Sequence, residues 1–435
     1  MGPPSPTGRL TMSAQRFPQN GVRELKPFDV TSVRVLLLEN INQTAVQMLE
    51  TAGYQVEHHA KALSETELIE KIKDAHVIGI RSKTKLTKNI LQHANKLLVI
   101  GCFCIGTNQV DLDFAAQRGI PVFNSPFSNS RSVAEMVISN IIALARQLGD
   151  RNREMHRNLW FKVSSKCFEI RGKTLGIVGY GHIGSQLSVL AEAMGMHVIF
   201  YDVLQPMPLG MSKPVGSLED LLRQADFVTL HVPETPETKN MIGAHELQLM
   251  QPGSYLINAS RGTVVDIPAL AQSLRAGHLG GCAIDVYPKE PFSNGKGFES
   301  ELVDCPNTIL SPHIGGSTEE AQSMIGVEVA RSLTSFLNAG STLKAVNFPE
   351  VNLRAIPATK ALSVRLVNAH QNVPGVLLKI NNILSPFNVD KQVCDSKGDV
   401  SYFMADIALR GEADIQTIHR AIGQIDENII TRVLY

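Results

Sequence analysis

Two doubly wound parallel-sheet α/β domains and a small antiparallel βαββαβ unit are the fold class that this sequence predicts. Three observations carry that reading. At 435 residues the chain is too long for one compact core. From Ser32 to Leu310 short apolar runs alternate with helical segments, the order that builds parallel sheets covered on both faces. About the last 75 residues read differently, with strands and helices in the order βαββαβ.

Residues 1–30 are rich in Pro, Ser, Gln and Asn and are expected to form a disordered tail. Arg9, Arg16 and Arg23 precede its first acid, Glu24, as in an organelle transit peptide, but the prolines argue against a targeting helix. Strands are then expected at 33–38, 55–58, 76–80, 97–100 and 122–124, with helices at 43–52 and 65–73. The turn-like Asn124-Ser125-Pro126 closes this first unit, and a long helix is expected over 133–148. The second unit offers six strands, at 174–178, 198–201, 227–230, 254–258, 281–285 and 308–310, which suits a complete dinucleotide-binding sheet. A helix over 318–337 and a polar linker around 338–360 follow. Strands at 362–367, 389–394, 400–409 and 429–434 with helices at 374–383 and 415–422 complete a ferredoxin-like βαββαβ unit.

Composition excludes several classes of function. The charges cancel, 41 basic against 41 acidic, so no field favours nucleic acid or an anionic membrane. Runs such as Leu97–Ile100 and Met136–Ala145 fall short of a spanning helix. Cysteines 102, 104, 167, 282, 305 and 394 form no C-x-x-C pair, so free thiols in a reducing, cytoplasmic compartment are expected. Cys102 and Cys104 read as a buried strand end and not as a metal site, since no histidine stands near them at ligand spacing; no metal is expected.

The clearest local signal is Gly179-Tyr180-Gly181-His182-Ile183-Gly184, after one strand and opening a helix. Such glycines let backbone amides approach a pyrophosphate at a helix N-terminus. The next strand ends in Asp202, placed to bond both hydroxyls of a ribose. No Arg or Lys follows within Val203–Leu209 to meet a 2′-phosphate, which favours NAD over NADP. Without that context the glycines would mark only a tight strand-to-helix turn.

Ligands of such sheets bind outside the carboxyl ends of the strands. Those ends here carry His231-Val232-Pro233, Asn258-Ala259-Ser260-Arg261, Asp285 and Ser311-Pro312-His313-Ile314-Gly315-Gly316. Hydride transfer at a 2-hydroxy acid needs a cation for the carboxylate, an acid–base group for the hydroxyl proton and a partner that orients it. Arg261, His313 and Glu290 supply one of each. Each has a plainer reading, as a helix-end salt bridge, a packed residue or a solvated loop acid. His231, Val232 and Pro233 read as a wall of the cofactor pocket and not as catalysts.

The stretches Gly179–Gly184, Asn258–Asp266, Asp285–Pro291 and Pro312–Glu320 together resemble the signatures of the D-2-hydroxyacid dehydrogenase family, over residues 33–348. The resemblance implies two Rossmann-like domains with the cofactor domain inserted into the substrate domain. The boundaries are then 31–127 and 315–348 for the substrate domain, 128–314 for the NAD-binding domain and 349–360 for a linker. It implies Arg261 as substrate anchor, His313 as acid–base group and Glu290 as its partner. Cofactor contacts would include His182, Ile183, Asp202, Ala259, Ser260, Arg261, Asp285, His313, Gly315 and Gly316. Gly79–Ser82, Gly101–Asp111 and Asn124–Glu135 resemble the branch that acts on 3-phosphoglycerate, implying its NAD-linked oxidation to 3-phosphohydroxypyruvate for serine synthesis. Arg81, Ser82, Lys83, Asn108 and Lys162 are then the substrate contacts.

Residues 361–435 are similar to an ACT domain, an amino-acid-sensing module. His370-Gln371-Asn372-Val373-Pro374-Gly375 matches its ligand turn, so His370 and Asn372 are regulatory candidates with L-serine the implied effector. Where a second asparagine is expected the chain reads Asn388-Val389-Asp390, which puts a carboxylate near that position. The family also implies a homo-oligomer, a tetramer built from dimers. Two other functions fit less well. A reductase for glyoxylate or hydroxypyruvate would leave the charges near Arg81 idle, and an NAD-sensing corepressor would not need an intact Arg–Glu–His set.

Overall fold

The structure is a computed structural model and describes residues 30–291, 294–357, 363–411 and 413–434. The expected tail lies outside these residues except for Val30, which opens a 3-10 turn (Val30–Ser32). The chain divides into two compact units: a discontinuous one from residues 1–126 and 323–435, and an inserted one from residues 127–322.

The discontinuous unit opens with β1 (Arg34–Leu37), α1 (Gln43–Thr51), β2 (Gln55–His58), α2 (Glu65–Ile72), β3 (Val77–Ile80), α3 (Lys88–Leu91), β4 (Val99–Cys102), α4 (Leu112–Gln117) and β5 (Val122–Phe123). The strands pair in parallel in the order β2-β1-β3-β4-β5. β3 and β4 are buried at every position, as a sheet covered on both faces requires. Ser64 and Glu67 close a reciprocal capping box that starts α2.

The inserted unit opens with α5 (Ser130–Ala145) and α6 (Leu148–His156), where one helix is expected; the chain breaks at Gln147, in a left-handed conformation at φ 50°. It continues through β6 (Thr174–Val178), α7 (His182–Ala193), β7 (His197–Tyr201), β8 (Lys213–Pro214), α8 (Leu218–Gln224), β9 (Phe227–Leu230), α9 (Ala244–Leu249), β10 (Tyr255–Asn258), α10 (Ile267–Arg275), β11 (Gly281–Ile284) and β12 (Thr308–Leu310). The sheet order is β12-β11-β10-β9-β6-β7-β8, all parallel. Seven strands replace the six expected, because β8 is a two-residue edge strand too short to carry a pattern.

α11 (Glu319–Ala339) leads back into the discontinuous unit. Its return passes the edge of β5, where the Asn347 side chain accepts the Val122 N–H at 2.8 Å and donates to the Leu112 and Ile120 carbonyls. Together with the Val346 N–H on the Val122 carbonyl, that covers the outer edge of β5. The chain ends in β13 (Ser363–Gln371), α12 (Val376–Leu384), β14 (Asn388–Lys397), β15 (Val400–Ala408), α13 (Ala413–Gly423) and β16 (Asn428–Leu434), an antiparallel sheet β14-β15-β13-β16. Leu362, the expected start of its first strand, lies outside the described residues.

This C-terminal sheet is not set apart by its linker. One face, through Val364, Leu366, Phe403 and Ile407, packs on α12 and α13. The other, through Val367, Ala369, Tyr402, Met404 and Leu434, shares a core with Leu333, Phe336 and Phe348 of the discontinuous unit. Burying both faces of the sheet joins it to the first core.

Candidate functional site

In the inserted unit the first glycine of the nucleotide motif, Gly179, has φ 91°, and a Cβ there would meet the His231 carbonyl oxygen at 2.5 Å. A Cβ on Gly184 would meet the Gly179 carbonyl oxygen at 2.3 Å, so that glycine serves helix-to-strand packing. A Cβ on Gly181 would meet nothing within 4 Å. It lies exposed at the N-cap of α7, leaving open space before the first N–H groups of the helix, the kind of end that receives a pyrophosphate. His182 begins α7 and stacks its ring on Phe127, centroids 3.6 Å apart, while Ile183 turns inward against the core. Phe127 escaped the sequence reading; an aromatic residue after a turn carries no local signal of a partner 55 positions away.

Asp202 directly follows β7 and accepts the N–H groups of Tyr180 at 2.7 Å and Leu204 at 2.8 Å. Two backbone donors thus orient its carboxylate beside the glycine loop, where a ribose diol fits. The Tyr180 hydroxyl, 2.7 Å from the hydroxyls of Ser188 and Ser212, also accepts the Leu209 N–H and so braces the loop after Asp202.

At the end of β9, His231 holds Nε2 3.0 Å from the Thr229 hydroxyl. Its Nδ1 is hidden from solvent and has no partner among the described residues. Burial pushes its pKa down to about 4, so the ring is neutral at physiological pH. Val232 packs toward Gly179, and the Pro233 carbonyl accepts the Thr238 hydroxyl, which fixes the wall these three residues make.

β10 ends in Asn258, fully buried, whose side chain accepts the Ser260 N–H and hydroxyl and donates to the Arg261 carbonyl. Ala259 is half-buried against the core. The Arg261 guanidinium donates from Nη1 to the Ser260 carbonyl at 2.7 Å, which sets the direction of its fork. A Cβ on Gly262 would lie 1.9 Å from the Tyr287 carbonyl carbon, so the turn after Arg261 lies flat against the loop that leads to Glu290.

Asp285, at the end of β11, is 2% exposed. Its carboxylate accepts the Ser311 hydroxyl at 2.6 Å and the N–H groups of Ile314 and Gly315 at 2.9 and 2.8 Å; its backbone carbonyl accepts the His313 N–H. Asp285 therefore shapes the loop after β12 that presents His313. A Cβ on Gly316 would strike the Asn129 amide at 2.3 Å, so that end of the loop is also packed tight. His313 Nδ1 lies 3.0 and 2.9 Å from the two Glu290 carboxylate oxygens, and Glu290 also accepts the Tyr287 N–H. The neighbouring strands β10, β11 and β12 thus carry Arg261, Glu290 and His313 on adjoining loops.

In the discontinuous unit, Arg81, Ser82 and Lys83 follow β3, and Asn108 lies exposed in the loop after β4. Lys162 stands exposed on an irregular run of the inserted unit. His370 is 2% exposed, with Nδ1 2.8 Å from the Asn368 side-chain oxygen; burial lowers its pKa, which the Glu427 carboxylate opposes. Asn372 is exposed and donates to the Gly398 carbonyl, and Gly375 caps α12 at φ 93°. Asn388 donates to Asp390 at 3.1 Å, beside a bulge in β14. All six cysteines are free, and no metal-holding cluster occurs among the described residues.

Residues 138–315 match the model of the D-isomer specific 2-hydroxyacid dehydrogenase NAD binding domain. The chain is 58% identical over 419 residues to D-3-phosphoglycerate dehydrogenase 1 of Saccharomyces cerevisiae, covering 94% of this chain and 89% of that protein. It is 51% identical over 409 residues to D-3-phosphoglycerate dehydrogenase of Escherichia coli, covering 93% and 98%. Among solved structures it is similar to the Aquifex aeolicus D-lactate dehydrogenase complexed with NAD and lactic acid, at TM-score 0.59 and 28% identity over 69% of this chain and 95% of that one. The chain belongs to the NAD-dependent D-2-hydroxyacid dehydrogenase family, in its D-3-phosphoglycerate dehydrogenase branch.

Proposed function

We propose that the chain oxidises 3-phospho-D-glycerate to 3-phosphohydroxypyruvate with NAD⁺, the step that opens phosphorylated L-serine synthesis. The Glu290–His313 pair carries the mechanism. With Nδ1–H donating to Glu290, His313 Nε2 keeps a lone pair and takes the proton of the C2 hydroxyl. Glu290 holds the ring's orientation and stabilises the imidazolium that forms. Arg261 pairs with the substrate carboxylate and polarises the oxygen that becomes the carbonyl. Gly179–Gly184 and Asp202 would hold NAD⁺, which would supply the acceptor for the hydride from C2.

Arg81 and Lys83, with Ser82, Asn108 and Lys162, are assigned to the phosphorylated end of the substrate on charge and on the family resemblance. The test is an NADH-linked assay with Arg81→Ala. It is expected to lose at least tenfold in kcat/KM on phosphorylated substrate and much less on an unphosphorylated analogue; equal losses refute the assignment. L-serine as effector is supported by the Asn372–Gly375 turn, and the same assay with and without L-serine reads it directly. A homo-oligomer, taken as a tetramer, is supported by the exposed apolar side chains of Met155, Leu159, Trp160, Phe161, Val163 and Phe168. Six free cysteines support a cytoplasmic location, and no helix among the described residues is long and apolar enough to cross a membrane.

A further inference from the structure

The sheet order β2-β1-β3-β4-β5 has one topological switch point, between β1 and β3, and in open parallel sheets the crevice at such a point is where ligands enter. The chain leaves β1 through Glu39 and Asn40, both left-handed at φ 67° and 53°, a conformation that residues with a side chain rarely adopt. Glu39 is nonetheless 8% exposed, with its carboxylate turned under the loop that leaves β3. It accepts the N–H groups of Arg81 at 3.3 Å, Lys83 at 2.9 Å and Thr84 at 2.7 Å. From the other side, the Gln109 amide, also 8% exposed, donates to the Arg81 carbonyl at 2.7 Å and to the Gly106 carbonyl at 3.1 Å.

Backbone N–H groups that converge at a strand end make a nest for an anion. Here a side chain of the protein fills it. Of the four N–H groups from Arg81 to Thr84, Glu39 takes three and passes over that of Ser82. A substrate phosphate at this crevice would then meet the Arg81 and Lys83 side chains and the Ser82 N–H, not the nest.

We propose that Glu39 and Gln109 are positioning residues that clip the Arg81–Thr84 loop from both sides and thereby set the enzyme's preference for a phosphorylated substrate. This rests on the reading that Arg81 and Lys83 meet the phosphate. Glu39→Gln keeps shape but turns an N–H toward other N–H donors, and Gln109→Met removes the second clip without leaving a charge behind. The experiment measures kcat and KM for 3-phosphoglycerate and for an unphosphorylated 2-hydroxy acid, with amide exchange at residues 81–84. Glu39→Gln is expected to raise KM for 3-phosphoglycerate about tenfold with kcat within about twofold, to leave the unphosphorylated substrate unchanged, and to speed exchange at Arg81, Lys83 and Thr84. Gln109→Met is expected to give the same signature at about threefold, and it decides the matter if Glu39→Gln does not fold.

A merely structural role would depress kcat for both substrates alike, and that result, or an unchanged KM, overturns the proposal. Arg81→Ala in the same assay separates the two layers. If it discriminates between the substrates while the clip variants do not, the positioning inference fails alone. If it does not discriminate, the phosphate reading itself falls, and the inference with it.

Discussion

His313 shows how much structure one catalytic side chain requires. Its own backbone is left-handed, at φ 54°, a position a β-carbon resists. What holds it there is Asp285, whose carboxylate and carbonyl together receive the Ser311 hydroxyl and the N–H groups of residues 313, 314 and 315. Charge-assisted bonds of this kind are roughly twice as strong as neutral ones, enough to offset the strain. The ring itself is half in solvent, so truncating it removes a proton carrier without opening the core. His313→Ala is therefore expected to leave NAD affinity within about twofold while turnover falls by about 10² or more, read by cofactor titration and steady-state rates. Unchanged turnover would remove His313 from the proton path.

At the scale of elements, the strand–loop–helix unit that holds the nucleotide motif separates folding from binding within six residues. Gly184 faces backbone at 2.3 Å, whereas Gly181 faces open space at φ −81°, which any residue adopts. Gly181→Ala should thus melt within about 1 °C of the parent yet bind NAD at least tenfold more weakly, because the new methyl fills the pyrophosphate's place. Gly184→Ala should lower the melting temperature by several degrees. Calorimetry with a cofactor titration checks both, and a Gly181 variant that binds normally would move the cofactor elsewhere.

Elements of this kind were legible in the sequence because their glycines, their flanking periodicity and the terminal Asp202 act within about 25 residues of one another. β8 was not, since two residues carry no period, and Gln147 gave no warning of the left-handed break after α5. Arg261, Glu290 and His313 could be picked out because strand ends are where such a sheet must place them. Glu39 could not: its partners lie 42 to 45 residues ahead, and a lone acid after a strand reads as solvated.

For the whole molecule the decisive feature is how the C-terminal sheet is fastened to α11. Helices end with carbonyls that lack partners, and here the last turn of α11 is served by side chains from beyond residue 360. Arg432 donates to the Phe336 carbonyl at 3.1 Å, Arg365 to the Ala339 carbonyl at 3.1 Å, and the Tyr402 hydroxyl to the Gly340 carbonyl at 2.8 Å. Arg365 is the keystone, fully buried and bidentate with Asp406 at 2.7 and 3.0 Å, while also reaching the Leu353 and Arg354 carbonyls. In the sequence an arginine inside a strand suggests a solvent face, and Asp406 lies 41 residues away, so no local signal marked this junction.

A buried pair of this kind adds little net stability over an apolar one, but removing one partner strands a charge. Asp406→Ala should therefore cost about 3–5 kcal/mol in urea unfolding, whereas Arg365→Met with Asp406→Leu should cost far less. If the single variant proved as stable as the parent, Arg365 would have to find its neutralisation elsewhere. The sheet would then be held to α11 by its apolar face alone, and the melting of Tyr402→Phe, which deletes one cap and no charge, would be expected to match that of Asp406→Ala.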